Sequence, residues 1–398
     1  VSLSNRELRR LGLYLALGVI AGTGVRYYIE SRARASRART DQQQLIDWQQ
    51  ARKVALRVSQ WEQAPLENRV HRQEQYMRLV KRSEPLIADY LGVDLPEPIS
   101  RVYVVDRREW LEANFTSFEQ LFKPIEDMYE HNKVGRTALA VLLGDFNGRM
   151  LGAQIGMLLG FLGKRVLGQY DLSLLSPEPD GGGALYYVEP NIARIQTRLG
   201  LNDEDFRLWI ALHETTHAFE FEAYPWVRNH FNGLLQQYFD QLNTQLNNLT
   251  RGLPNVLTRI VQNIGSDRHW IELVLTPEQH HIFEQLQALM SLVEGYSNHI
   301  MNAIGSQLLP SFHIIEQRME QRQKSRTLLE QLFYRLTGMD LKMAQYQQGE
   351  AFVNEVVRQR GIAFASQVWE RAENLPTLDE IRHPHKWMQR MDHVVVSG

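Results

Sequence analysis

From Ile46 onward apolar positions recur every three or four residues, the period of helices that bury one face. Two stretches break that rhythm. "ISRVYVVD" (Ile99 to Asp106) alternates and is rich in β-branched residues, which predicts a strand, with Asp106 capping the helix "RREWLEANF" behind it. "LYYVEPN" (Leu185 to Asn191), set off by "PEPDGGG", predicts a second strand. Asn202, followed by Asp203, Glu204 and Asp205, marks the start of a helix, because acidic groups in a first turn suit the helix dipole. Pro225 ends or kinks that helix and opens the next. Thr276, Pro277 and Gln279 fit the N-cap, first and third positions of a long helix that Gly305 is placed to stop. Gly144, Gly148, Gly152, Gly156 and Gly160 lie four apart, one stripe along which a second backbone can approach closely. Asp145, Asn147, Arg149 and Gln154 interrupt this run, so it reads as a tightly packed helix of a water-soluble core rather than a membrane span. The fold class is therefore mainly α with a small β-sheet (α+β). No repeat and no boundary appears after residue 46, which divides the chain into 1–45 and a single domain, 46–398.

The first segment follows other rules. "LGLYLALGVIAGTGV" (Leu11 to Val25) is uncharged and flanked by Arg9, Arg10 and Arg26. With Arg26 snorkelling, the run extends to Ile29, just long enough for a membrane anchor through residues 11–29. A buried core helix and a cleaved signal are the alternatives, although no A-x-A-like cleavage site follows. Basic residues are denser after the segment than before it, which would leave the main domain cytoplasmic if the anchor is real; without an anchor the protein is expected to be soluble in the cytoplasm. The chain of 398 residues carries 44 basic and 46 acidic residues, so it lacks the electrostatic footprint of a nucleic-acid binder. It has no cysteine, so any metal must be held by histidines and carboxylates.

Such groups occur in "LWIALHETTHAFEFEAY". His213 and His217 are one helical turn apart on the face that also carries Phe206, Ile210 and Phe221, a spacing that lets two imidazoles meet one Zn²⁺. Glu214 is offset by about 100° and reaches a water on the metal without ligating it, as a general base must. A catalytic zinc site needs a third protein ligand. Six residues past His217 stands Ala223 rather than a histidine, so the ligand must come from elsewhere. Glu294, deep in the apolar run "MSLVEGYSNHIM", is the best candidate, because a metal offsets the cost of burying a carboxylate there. Gly295 would let its helix approach the HETTH helix, and Asn298 could take the Nδ1–H of a ligating histidine. The bland alternatives are satisfied core histidines and a glutamate paired with an arginine.

HETTH, "PWVR" and "MSLVEGYSNHIM" resemble the gluzincin arrangement. With "IDWQQARKVA", "VLGQYDLSLL", "LYYVEPNI", "LKMAQYQQGEAFVNEVV" and "VWERAENLPTLDEIRHPHKWMQR", the chain more closely resembles a bacterial family of zincin-like metallopeptidases, often labelled coenzyme-biosynthesis-associated hydrolases on gene association. The resemblance spans roughly residues 46 to 390. It implies a zincin-like architecture, one zinc per chain on His213, His217 and Glu294, Glu214 as base, and a peptide or protein substrate. "EGYSN" departs from the family's usual pattern by placing Asn298 where an aspartate is usual. Zincins commonly bind the substrate backbone along an edge strand, a role "LYYVEPN" fits. Tyr296 and Tyr224 are the tyrosines available as transition-state donors. The expected activity is zinc-dependent hydrolysis of a peptide or amide bond; the alternative is an inactive zinc-braced scaffold or a membrane-associated binding protein.

Overall fold

The computed structural model describes residues 45–131, 148–170, 183–238, 240–241, 276–324 and 339–396. The segment 11–29 and Gly144 lie outside them. Among the described residues no helix is long and apolar enough to cross a membrane. Helices dominate, around a three-stranded sheet, so the protein is mainly α with a small sheet.

The glycine stripe shows how the periphery is built. Helices α1 (Trp48–Ser59) and α2 (Arg69–Leu91) precede strand β1 (Val102–Val105) and helix α3 (Arg107–His131). Helix α4 (Gly148–Gly163) lies against α1 with almost no space between backbones. A methyl group on Gly152, Gly156 or Gly160 would sit 2.3, 2.3 and 2.6 Å from the carbonyl oxygens of Asp47, Ala51 and Ala55. Both sides therefore repeat every fourth residue, the i±4 ridge of one helix resting on the other. Beneath them Trp110, Leu111, Phe115 and Leu159 form a small apolar cluster.

Strand β1 leads through α3, α4 and strand β2 (Gly168–Tyr170) to strand β3 (Leu185–Val188). The sheet order is β1-β3-β2, with β1 parallel and β2 antiparallel to β3. The "LYYV" strand is thus central, contrary to the expectation of an edge, and its Leu185, Tyr187 and Val188 are buried. "EPN" is not strand at all. Pro190, which has no N–H to give a sheet ladder, sits in the first turn of helix α5 (Glu189–Leu199).

Helix α6 (Asp203–Ala218) begins as expected, with the Asn202 side chain accepting the N–H groups of Glu204 and Asp205. Phe206, Leu208, Ile210, Ala211 and Leu212 are all buried, so α6 is enclosed on more than one face, by α2, by β2 and by the long helix α8. It ends in a π-helical turn, Phe219–Ala223, before Pro225, and helix α7 follows at 226–238. Helix α8 (Pro277–Leu308) opens on the Thr276–Gln279 capping box but runs through Gly305, which faces the Phe312 ring rather than ending the helix. Helices α9 (Phe312–Lys324), α10 (Met339–Arg360) and α11 (Pro384–Val396) complete the main helices. Gly295 does not face α6. A Cβ there would meet Gly349 of α10 at 2.2 Å, and one on Gly349 would meet the Ser291 carbonyl at 1.9 Å. Two facing glycines thus set the α8–α10 distance.

Candidate metal centre

Burial of α6 fixes the direction of its inward side chains. His213 and His217 stand one above the other, ring centroids 4.8 Å apart and planes at 80°. From α8, Glu294 reaches the same point, with Oε2 4.0 Å from His213 Nε2. One ligand atom from each of the three lies within 4.8 Å of the others. Tetrahedral zinc with ligands at about 2.1 Å holds them about 3.4 Å apart, so the triad is within a small side-chain adjustment of that geometry.

The hydrogen bonds fit a metal. His217 Nδ1 is 2.7 Å from Glu220 Oε2, and Ser297 Oγ is 3.4 Å from the same nitrogen. Glu220, one turn on and 1% exposed, therefore orients His217 and leaves Nε2 to face the triad. Burial, with the charge of neighbouring His217, pushes His213 down to about 3, so its ring is neutral and offers a lone pair. His213 Nδ1 is buried without a partner. Burial alone would lower His217 too, but the carboxylates of Glu220, Glu294 and Glu214 outweigh it. His217 and Glu220 thus behave as a pair sharing a proton. Two imidazoles and a carboxylate are a donor set that could hold zinc, and the cavity beside them leaves room for a further ligand.

Glu214 lies beside the triad, 6% exposed. Burial raises its carboxyl to about 7, with the negative charge of Glu294 adding to the effect, while His217 and the Tyr170 backbone N–H work against it. A group of that pKa can take a proton and return it near neutrality. Strand β2 closes over it: a Cβ on Gly168 would lie 2.5 Å from the Glu214 carboxylate. Gly168, Gln169, Tyr170 and Glu214 share with the triad a cavity of about 290 Å³, whose far wall is apolar (Phe221, Phe231, Leu289, Met290 and Val293).

The other sequence candidates are placed differently. Neither histidine Nδ1 bonds to Asn298, because His217 takes Glu220 and His213 has no partner. Tyr296 turns its hydroxyl to Ser366 Oγ (2.7 Å) and packs on Trp369. Tyr224 stacks on Trp369 as well, and neither tyrosine lines the cavity. Two participants escaped sequence reading. Glu220 carried a signal, the H-x-x-E spacing that puts it beside His217, whereas the three residues of β2 are too short to show a period.

A helix that presents two histidines with a glutamate between them, met by a glutamate from a second helix, is the arrangement of a zincin-type site. The sequence profile of the zincin-like metallopeptidase family matches residues 46–388, and this chain belongs to that family. A crystal structure from Chloroflexus aurantiacus, described as "a putative hydrolase with a novel fold", is 58% identical, with a TM-score of 0.66 over 87% of this chain and 99% of that one. No curated protein matches the chain.

Proposed function

We propose that the protein is a zinc-dependent hydrolase that cleaves a peptide or amide bond. The observation that carries this reading is the convergence of His213, His217 and Glu294 on one point, with the buried carboxyl of Glu214 on the same cavity. His213, His217 and Glu294 would hold the ion. Bound there, zinc supplies a Lewis acid that polarises a carbonyl and acidifies water. Glu214 takes the proton from the attacking water and delivers it to the leaving amine, a shuttle suited to a carboxyl held at about 7. Glu220 holds the Nδ1 side of His217 fixed throughout. Among the described residues the side of β2 away from β3 pairs with no strand, so it can offer backbone groups to an extended substrate beside Gly168, and the apolar lining accepts a side chain and excludes water.

A zinc serving only as a brace would have four protein ligands. Three converge among the described residues, and a brace has no use for Glu214. The test is Glu214→Gln, which keeps the shape and removes the base. Zinc content by plasma mass spectrometry should stay near one per chain, while turnover of a peptide library cleaved by the wild type falls by at least 10²-fold. Undiminished cleavage by Glu214→Gln would refute the mechanism. A wild type that takes up no zinc would refute the site.

A further inference from the structure

A second cleft, of about 660 Å³, shares no lining residue with the metal-site cavity. Its walls carry four arginines, Arg72, Arg107, Arg194 and Arg198, against the carboxylates Glu67 and Glu189. Glu189 is committed elsewhere: it is buried, bonds Arg207, accepts the Tyr76 hydroxyl at 2.8 Å and lies 3.2 Å from Arg72. Arg72 also reaches Asp203 at 3.0 Å. Among the described residues Arg107, Arg194 and Arg198 pair with no carboxylate.

Arg107 is the unusual one. It is 2% exposed, yet its partners are neutral: Asn191 Oδ1 at 2.8 Å and the carbonyls of Ser59 and Gln60 at 2.8 and 3.2 Å. Its Nη2 is buried with no acceptor. Arg194 and Arg198 stand four apart on α5, an arrangement in which like charges on one helix face repel. Arg194 gives one hydrogen bond, to the Lys164 carbonyl. Burial and the charge of Arg194 pull Arg107 down to about 10. Tying α1 to α3 and α5 accounts for the three bonds Arg107 makes. It accounts for neither the spare Nη2 nor the two arginines beside it.

We propose that this cleft binds a small oxyanion, a phosphate or carboxylate group held by the exposed guanidinium groups of Arg194 and Arg198, with the buried positive charge of Arg107 beside them. The guanidinium fork matches both groups, giving paired N–H donors to two oxygens at once, and an anion relieves the repulsion among the three cations. The site is separate from the hydrolytic centre, so it stands or falls independently of that activity.

The experiment is calorimetric titration of the full chain with inorganic phosphate and, separately, with citrate, at constant ionic strength in chloride. Arg194→Ala/Arg198→Ala removes two exposed side chains and leaves the buried Arg107 in place. His217→Ala disables the metal site, where phosphate could otherwise bind zinc. Saturable binding of either anion to wild type, weakened tenfold or more in Arg194→Ala/Arg198→Ala and retained in His217→Ala, supports the site. Phosphate alone saturating identifies a phosphate ligand, and citrate alone a carboxylate. No saturable heat with either anion overturns the proposal, as does equal affinity in Arg194→Ala/Arg198→Ala or loss of binding in His217→Ala.

Discussion

His217 has two ring nitrogens with two tasks, and Glu220 decides which does which. Its carboxylate, 2.7 Å from Nδ1, fixes the ring and makes the remaining nitrogen the better donor to a metal. Glu220→Gln preserves size and one hydrogen bond but removes the charge. Zinc affinity, read by competition with a chromophoric chelator, is expected to fall about 10- to 100-fold while the melting temperature of the metal-free protein changes little. An unchanged zinc affinity would leave Glu220 as packing only. Gly168 tests the neighbouring carboxylate. A methyl group there would meet Glu214 at 2.5 Å, so Gly168→Ala must displace its carboxylate, while none of the atoms nearest that methyl belongs to His213, His217 or Glu294. We expect zinc to be retained and hydrolysis to drop more than tenfold; full activity in Gly168→Ala would mean that Glu214 is not confined by β2. At this scale the sequence was informative where a residue type was costly. A carboxylate at Glu294 in an apolar run and two histidines on an inward face both demand a partner. It misled at Asn298, because spacing along α8 says nothing about which group of α6 faces it, and the carboxylate that meets His217 was instead legible three residues on along His217's own chain segment.

Among the described residues glycines set the distance between α1 and α4 and between α8 and α10, and the two contacts differ in what they position. Along α1 and α4 the contact lies in the small cluster around Trp110 and Phe115, with none of its glycines on the metal-site cavity. Between α8 and α10, Gly295 meets Gly349 next to Glu294. Adding volume to a packed contact typically costs about 1–3 kcal/mol. Gly156→Val is therefore expected to lower the melting temperature while each folded chain still binds zinc normally. Gly295→Ala should lower both stability and zinc affinity, because α8 must shift or turn to clear the Gly349 backbone and carries Glu294 with it. Thermal melts with zinc titration of the two variants make the comparison, and equal zinc affinity in both would separate the α8–α10 contact from the site. The glycine period was plain in the sequence, since interior glycines are destabilising unless close packing compensates. Their partners were not. Gly295 was expected to face the HETTH helix, and only the assembled fold shows α10 on that side. The same limit hid the sheet order: β2 has three residues, and nothing local says that "LYYV" lies between two other strands.

Across the whole molecule the metal site joins parts of the chain that are distant in sequence. His213 and His217 belong to α6, wrapped by α2 and β2, while Glu294 belongs to α8, which carries α10 on its other side. The mainly helical class was legible because apolar periodicity is a property of each helix alone, but the joining of these two groups of elements is a property of none of them singly. Five ionisable groups meet where they join: His213, Glu214, His217, Glu220 and Glu294 occupy one interior region. Without a cation, Glu214 and Glu294 repel each other, which is one reason that the Glu214 carboxyl is raised. A bound divalent cation removes that repulsion and binds only the folded chain, so it must stabilise by linkage, by about 2.7 kcal/mol when free zinc exceeds its dissociation constant 100-fold. Calorimetric melts should accordingly show the zinc-loaded wild type unfolding at a higher temperature than the same protein in excess chelator. Glu294→Ala and His217→Ala should melt at one temperature with or without chelator. If the loaded wild type, its zinc verified beforehand, melts identically after chelation, the ion does not join α6 to α8. If Glu294→Ala keeps the full zinc-dependent shift, the third ligand lies elsewhere.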